Sequence, residues 1–222
     1  METISSVPAG AARIAKRASG KASVSIDGAI RARINAATRE CVFSPADFAG
    51  LGSRAAVDKV LSRLTASGEL RRIARGLYDR AETQSPLPPI EEVARALAGK
   101  NSFRLQPCDA YAAKLLGLPG PMPKKLVFLT EDITRSVWID GRQIVLKPTT
   151  PRNMATAGRI SGLVIQALRH LGQPNVDEAV LRHLDARLTS DDKAVLMADV
   201  SFAPAWVAGI LRRIASETNL AV

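Results

Sequence analysis

Four charged residues in the first third of the chain, Arg54, Asp58, Lys59 and Arg63, fall outside the apolar repeat Val57, Val60, Leu61, Leu64. On a helix they would share the solvent-facing side with Ala55 and Ser62. An arginine near the start of such a helix can donate a bidentate pair to guanine or hold a phosphate, and a lysine suits a phosphate or a purine acceptor. Asp58 fits two roles, accepting from cytosine or pairing locally to orient Arg54 or a nearby lysine. A second cationic group follows in Leu70-Arg71-Arg72-Ile73-Ala74-Arg75-Gly76-Leu77-Tyr78. There Arg71, Arg72 and Arg75 would stand on or beside a hairpin tip, within reach of phosphates or a minor groove. An Arg-rich turn alone reads equally as a solvated hairpin; joined to the preceding helix it reads as the second half of a DNA contact. The candidate DNA-binding residues are therefore Ser53, Arg54, Asp58, Lys59, Arg63, Arg71, Arg72 and Arg75.

Presenting these side chains requires a particular order of elements. Ile26, Ile30 and Ile34 repeat at helical spacing behind Ser25 as a cap, which predicts a first helix. Cys41, Val42 and Phe43 form a short extended run. Ser44-Pro45-Ala46-Asp47 then supplies a cap, a proline at the first helical position and a carboxylate at the third, predicting a second helix that ends near Gly50. Gly52 allows a tight turn, Ser53 caps a third helix and Gly68 stops it. Two β-capable runs around Arg75-Gly76 complete the pattern of a winged helix-turn-helix over residues 23–82. A basic arm, residues 1–22, precedes it with Arg13, Lys16, Arg17 and Lys21, and a Pro-rich linker, residues 83–89, follows.

The charge balance agrees with a polyanionic partner. The chain of 222 residues carries 31 Lys and Arg against 21 Asp and Glu, net +10, and residues 1–85 hold +6 of that. No apolar run is long enough to span a bilayer and the N-terminus lacks a secretory apolar core, so no membrane association and a cytoplasmic location are expected. Cys41 and Cys108 lack metal-ligand spacing and are expected as small core residues; His170 and His183 are expected as structural or surface groups. Glu91-Glu92, Glu131-Asp132 and Asp191-Asp192 are acidic pairs of a kind that can bind magnesium in nucleases, but two of them open predicted helices, where negative charge favours the dipole. No catalytic residue, metal ligand or cofactor is therefore assigned, and the chain is not expected to be an enzyme.

Residues 90–222 predict an α+β domain. Ile90 to Ala98 and Pro107 to Leu116 read as helices. Lys124 to Thr130, Arg135 to Ile139 and Arg142 to Lys147 read as strands of a small antiparallel sheet, the last two joined at Asp140-Gly141. Helices follow around Ile160 to Leu171 and Val180 to Leu188, with a last one opening at Pro204. Thr149-Thr150-Pro151-Arg152-Asn153, with Arg135, Arg142 and Lys147, reads equally as a second basic surface or as an exposed loop.

The sequence resembles the AbiEi-like antitoxins and transcriptional regulators of type IV toxin-antitoxin systems. The likeness is carried by Phe43-Ser44-Pro45-Ala46-Asp47-Phe48, the helix Arg54 to Leu64 and the run Leu70 to Tyr78. In the second half it is carried by Ala113 to Leu118, Val127 to Thr130 with Arg135, and Gln166 to Gly172. The resemblance implies a repressor of its own operon that binds repeated double-stranded operator DNA. Where a toxin is encoded alongside, it implies an antitoxin that counteracts a nucleotidyltransferase-like toxin without binding it. Only Arg54, Lys59, Arg71, Arg72 and Arg75 match its DNA-contacting part. Three rival expectations remain: a nucleic-acid-processing enzyme targeted by a winged helix, a regulator with no toxin partner, and a C-terminal domain that serves for homodimerisation or protein interaction.

Overall fold

A computed structural model describes residues 25–81, 86–99 and 104–216. The expected basic arm lies outside the described residues, as does the first part of the expected linker. The chain is α+β.

Helix α1 (Ile26–Ala36) starts where Ser25 Oγ accepts from the Gly28 N–H at 3.1 Å, and it buries Ile30 and Ile34. The expected second helix is instead a single 3₁₀ turn, Pro45–Phe48. Its reason is local. The Ser44 N–H and hydroxyl both donate to Asp47 Oδ2, at 2.7 and 2.9 Å, and the backbone turns left-handed two residues after Phe48, at Gly50 (φ +88°). That leaves no room for an α-helical ladder. Phe48, fully buried, packs on Phe43 with ring centroids 5.9 Å apart. Helix α2 (Arg54–Ala66) is capped by Ser53, buries Val57, Val60, Leu61 and Leu64, and gives way at Gly68 (φ +77°).

Strands β1 (Leu70–Ala74) and β2 (Leu77–Arg80) form an antiparallel hairpin closed at Arg75-Gly76, with a bulge between Arg72 and Ala74. The hairpin has apolar neighbours on both sides. Leu70 and Tyr78 join the core of α1 and α2, whereas Ile73, Ala74 and Leu77 pack with residues from beyond Pro89. That second core includes Val93 and Ala94 of α3 (Ile90–Ala98) together with Ile144 and Leu146.

Behind it lies a four-stranded sheet of β3 (Gln106–Cys108), β4 (Lys125–Thr130), β5 (Arg135–Ile139) and β6 (Arg142–Pro148), in the order β3-β4-β6-β5. The expected antiparallel sheet is in fact mixed. Strand β5 sits at the edge, and the hairpin through Asp140-Gly141 returns the chain as β6 between β4 and β5, so β6 runs parallel to β4. Strand β3 also corrects an expectation, because Pro107 belongs to this short edge strand and the helix α4 (Asp109–Leu115) begins two residues later. Pro107 is tolerated there as edge-strand prolines are, although at a helix start it would look the same in sequence.

The sheet is covered on both faces. Leu126 and Phe128 face α3 and Tyr111, while Val127 and Leu129 meet Met154 of α5 (Pro151–Met154), a short helix where a loop was one expectation. A third core joins α4 to α6 (Ile160–Leu171), α7 (Glu178–Arg187), α8 (Ser190–Ala198) and α9 (Ala205–Ser216). Among the described residues no helix is long and apolar enough to cross a membrane.

Candidate nucleic-acid interface

The side of α2 away from its core carries the first group of candidates. The Ser53 hydroxyl accepts from the Ala56 N–H at 3.2 Å, so it is occupied as a cap. Arg54, most of it in solvent, donates its Nε to both carboxylate oxygens of Asp58, each at 3.0 Å. Of the two roles open to Asp58, local pairing is the one the structure contains. The pair leaves both terminal nitrogens of Arg54 for a further acceptor. Lys59 is exposed and has no partner among the described residues. Arg63 reaches back to α1, where it pairs with Asp27.

Asp27 also accepts from Arg31 Nε at 3.0 Å, and Arg31 in turn pairs with Glu69. Hydrogen bonds from Arg31 and then Arg63 hold the Asp27 carboxyl below its ordinary range, against the small opposing effect of burial. This network ties α1, α2 and the start of β1 together. Arg63 is thus committed to positioning α2, although half its side chain remains in water.

The hairpin divides its arginines by role. Arg71 forms a forked pair with Asp79, Nε to Oδ1 at 3.1 Å and NH2 to Oδ2 at 2.5 Å, and its NH2 also donates to the Pro86 carbonyl at 3.1 Å. Asp79 is buried, and its hydrogen bonds hold the Arg71 guanidinium protonated even more firmly than usual. Arg71 therefore fastens the hairpin to the segment that follows it. Arg72 is exposed and makes only a long contact, 3.4 Å, to the Ala74 carbonyl. Arg75 stands exposed at the turn, without a partner among the described residues.

Arg80, which the sequence did not single out, donates to the Ile34 and Ala37 carbonyls and so caps the C-terminus of α1. Its signal would have been its place opposite the end of a predicted helix, which depends on tertiary packing and is not visible locally. Arg135 likewise donates to the Leu97 carbonyl at 2.8 Å and Arg152 to the Ser201 carbonyl at 2.9 Å, so two members of the expected second basic surface close off neighbouring elements. Cys41 is half-buried and Cys108 buried; His183 Nε2 lies 3.0 Å from the Leu116 carbonyl and His170 is exposed. Among the described residues no group of three or more His, Cys, Asp or Glu could hold a metal ion.

Of the DNA-binding candidates, the cationic side chains left for a partner are Arg54, Lys59, Arg72 and Arg75, on one helix and the hairpin that follows it. Residues 29–196 match the model of DUF6088, a family of unknown function. The chain belongs to that family. The match takes in α2, the hairpin and the whole four-stranded sheet of this DUF6088 chain. No curated protein and no solved structure matches it.

Proposed function

We propose that this DUF6088 chain is a DNA-binding transcriptional repressor that reads double-stranded operator DNA through a winged helix-turn-helix. In this reading α1, the 3₁₀ turn and α2 are the three helical parts, the second compressed to one turn, and the β1–β2 hairpin is the wing. The observation that carries it is the solvent-facing set Arg54 and Lys59 on α2 with Arg72 and Arg75 on the hairpin, in a chain of net charge +10. Arg54 and Lys59 would enter the major groove, with Arg72 and Arg75 against phosphates or the minor groove. Because the hairpin is packed between two apolar cores, Leu70 and Tyr78 in one and Ile73, Ala74 and Leu77 beside the turn in the other, it is held at a fixed angle to α2, which favours contacts in one register over loose electrostatic adhesion.

The reading extends, through the resemblance to AbiEi-like regulators, to an antitoxin that acts in the cytoplasm without catalysis of its own and counteracts a nucleotidyltransferase-like toxin without binding it. The sheet and the helical end are then the unit that serves a homodimer or the antitoxic role. The deciding experiment is binding of the purified full chain to DNA from its own upstream region against scrambled DNA of equal length, at two salt concentrations. Selective binding that survives the higher salt is expected of a repressor. Equal binding to both DNAs, erased by salt, would reduce the surface to a nonspecific polyanion contact. Rescue of growth when the chain is co-expressed with a neighbouring toxin gene tests the antitoxin part separately.

A further inference from the structure

A cavity of about 280 Å³ opens at the carboxyl ends of the parallel strands β4 and β6, the place where open sheets with parallel strands commonly hold ligands. It is small, near the lower limit of roughly 300 Å³ for ligand sites, and its lining is mostly polar. At its floor lies Gln166 of α6, only 6% exposed, whose side-chain amide has no hydrogen-bond partner among the described residues. This amide is open to the cavity rather than sealed in the core, so an incoming group can take the place of water on both its donor and its acceptor.

The rim supplies charge of both signs. Lys147 is exposed and without a partner among the described residues. Arg169 is steadied by Asn153, whose Oδ1 accepts from NH1 at 3.0 Å, while Asn153 itself donates to Thr149 Oγ1 at 2.9 Å. One guanidinium donor is thus spent on orientation and the others remain for an anion. The same lining includes Asp109 in the left-handed region, φ +54°, one of two non-glycine residues with positive φ among those described. Such backbone conformations persist where the surroundings enforce them, often at ligand sites. Burial first and Asp109 second push the thiol of the neighbouring Cys108 up to about 12.

We propose that this cavity binds a mononucleotide, with Lys147 and Arg169 on the phosphate, Gln166 on the donor-acceptor edge of the base and Asp109 accepting from a sugar hydroxyl or an exocyclic amine. Two cations and an unpartnered amide are more than a bare anion needs. The site is separate from the DNA-reading surface and does not depend on it.

Calorimetric titration of the full chain with the 5′-monophosphates of adenosine, guanosine, cytidine and uridine, with the corresponding nucleosides and with inorganic phosphate tests this. At least one monophosphate should bind, and its nucleoside and phosphate alone should each bind about tenfold more weakly or worse. Arg169→Ala and the near-isosteric Gln166→Met should each weaken that nucleotide by about tenfold or more, with the thermal unfolding of both variants showing that they are folded. The proposal is overturned by absence of heat with all four monophosphates at millimolar concentration. It is overturned equally by phosphate binding as tightly as the nucleotide, or by both folded variants binding like the parent.

Discussion

Replacing Arg71 by Ala and, separately, Arg75 by Ala should separate the two jobs that arginines do on one hairpin. Asp79 keeps 5% of its side chain exposed and Arg71 35%, so their pair lies between a surface ion pair and a fully buried one. Exposed pairs contribute about 0–1 kcal/mol, whereas breaking a buried pair costs about 3–5 kcal/mol because the remaining charge is stranded. With a third of the guanidinium in water, Arg71→Ala should cost about 2 kcal/mol. For a chain of this size that lowers the melting temperature by about 4–8 °C. Arg75→Ala, at an exposed turn, should stay within about 0.5 kcal/mol.

On DNA the order reverses. Arg75→Ala should flatten the dependence of log affinity on log salt by about 0.9, the signature of one lost phosphate contact. Arg71→Ala should leave that slope unchanged wherever the protein is folded. Adding Asp79→Asn to Arg71→Ala should recover part of the lost stability, since the stranded carboxylate is then gone. Thermal unfolding and binding titrations from about 50 to 200 mM salt provide both readouts. An Arg71→Ala protein with the parental melting temperature and a flattened salt slope would refute the assignment of Arg71 to structure.

Three further perturbations follow from the same geometry. Asp58→Ala frees Arg54 and removes a negative charge from the exposed side of α2, so binding to operator DNA should tighten several-fold at low salt at a stability cost of about 0.5 kcal/mol or less; weaker binding would instead make Asp58 a reader of the DNA. Gly162→Ala would put a Cβ 2.3 Å from the Thr156 carbonyl oxygen and 2.4 Å from Gln106 Oε1. The carbonyl is backbone and cannot swing away, so denaturant unfolding should show a loss of about 2–3 kcal/mol, and a parental midpoint would mean the α6 start is looser than described. The Asp27 carboxyl is held below its ordinary value of 3.8, so its stabilising share is fully present above that pH and is lost as pH falls through the lower folded value. Asp27→Asn should accordingly flatten the acid limb of the stability curve below about pH 4 and leave its steepness at neutral pH unchanged.

The elements were legible in the sequence where a repeat and a cap coincided. Ser53 with Val57, Val60, Leu61 and Leu64 marks α2 to within a residue, and Asp140-Gly141 marks the β5–β6 turn. Where two readings share one signal, the sequence could not choose. Ser44-Pro45-Ala46-Asp47 opens a 3₁₀ turn and a helix alike, and Pro107 can stand at a helix start or in an edge strand. The parallel pairing of β4 with β6 left no local trace either, because it follows from which edge β5 occupies, and that is settled by packing against α3 and the first hairpin.

Which arginine the hairpin neutralises shows the limit most sharply. Counting outward from the turn, where Ala74 faces Leu77, a regular ladder would set Arg72 opposite Asp79 and Arg71 opposite Arg80. The bulge between Arg72 and Ala74 shifts the register by one, so Arg71 meets Asp79 and Arg72 meets Tyr78. One extra residue thus moves Arg71 from the candidate DNA contacts to the anchors and leaves Arg72 in solvent. A change that removed the bulge would exchange the two, placing Arg71 against Arg80 and drawing Arg72 onto Asp79. The number of charges on the hairpin would stay the same, but the face that offers them would not. The charge pattern of a proposed wing is therefore set by its register as much as by its composition, and a count of arginines between two strands does not specify it.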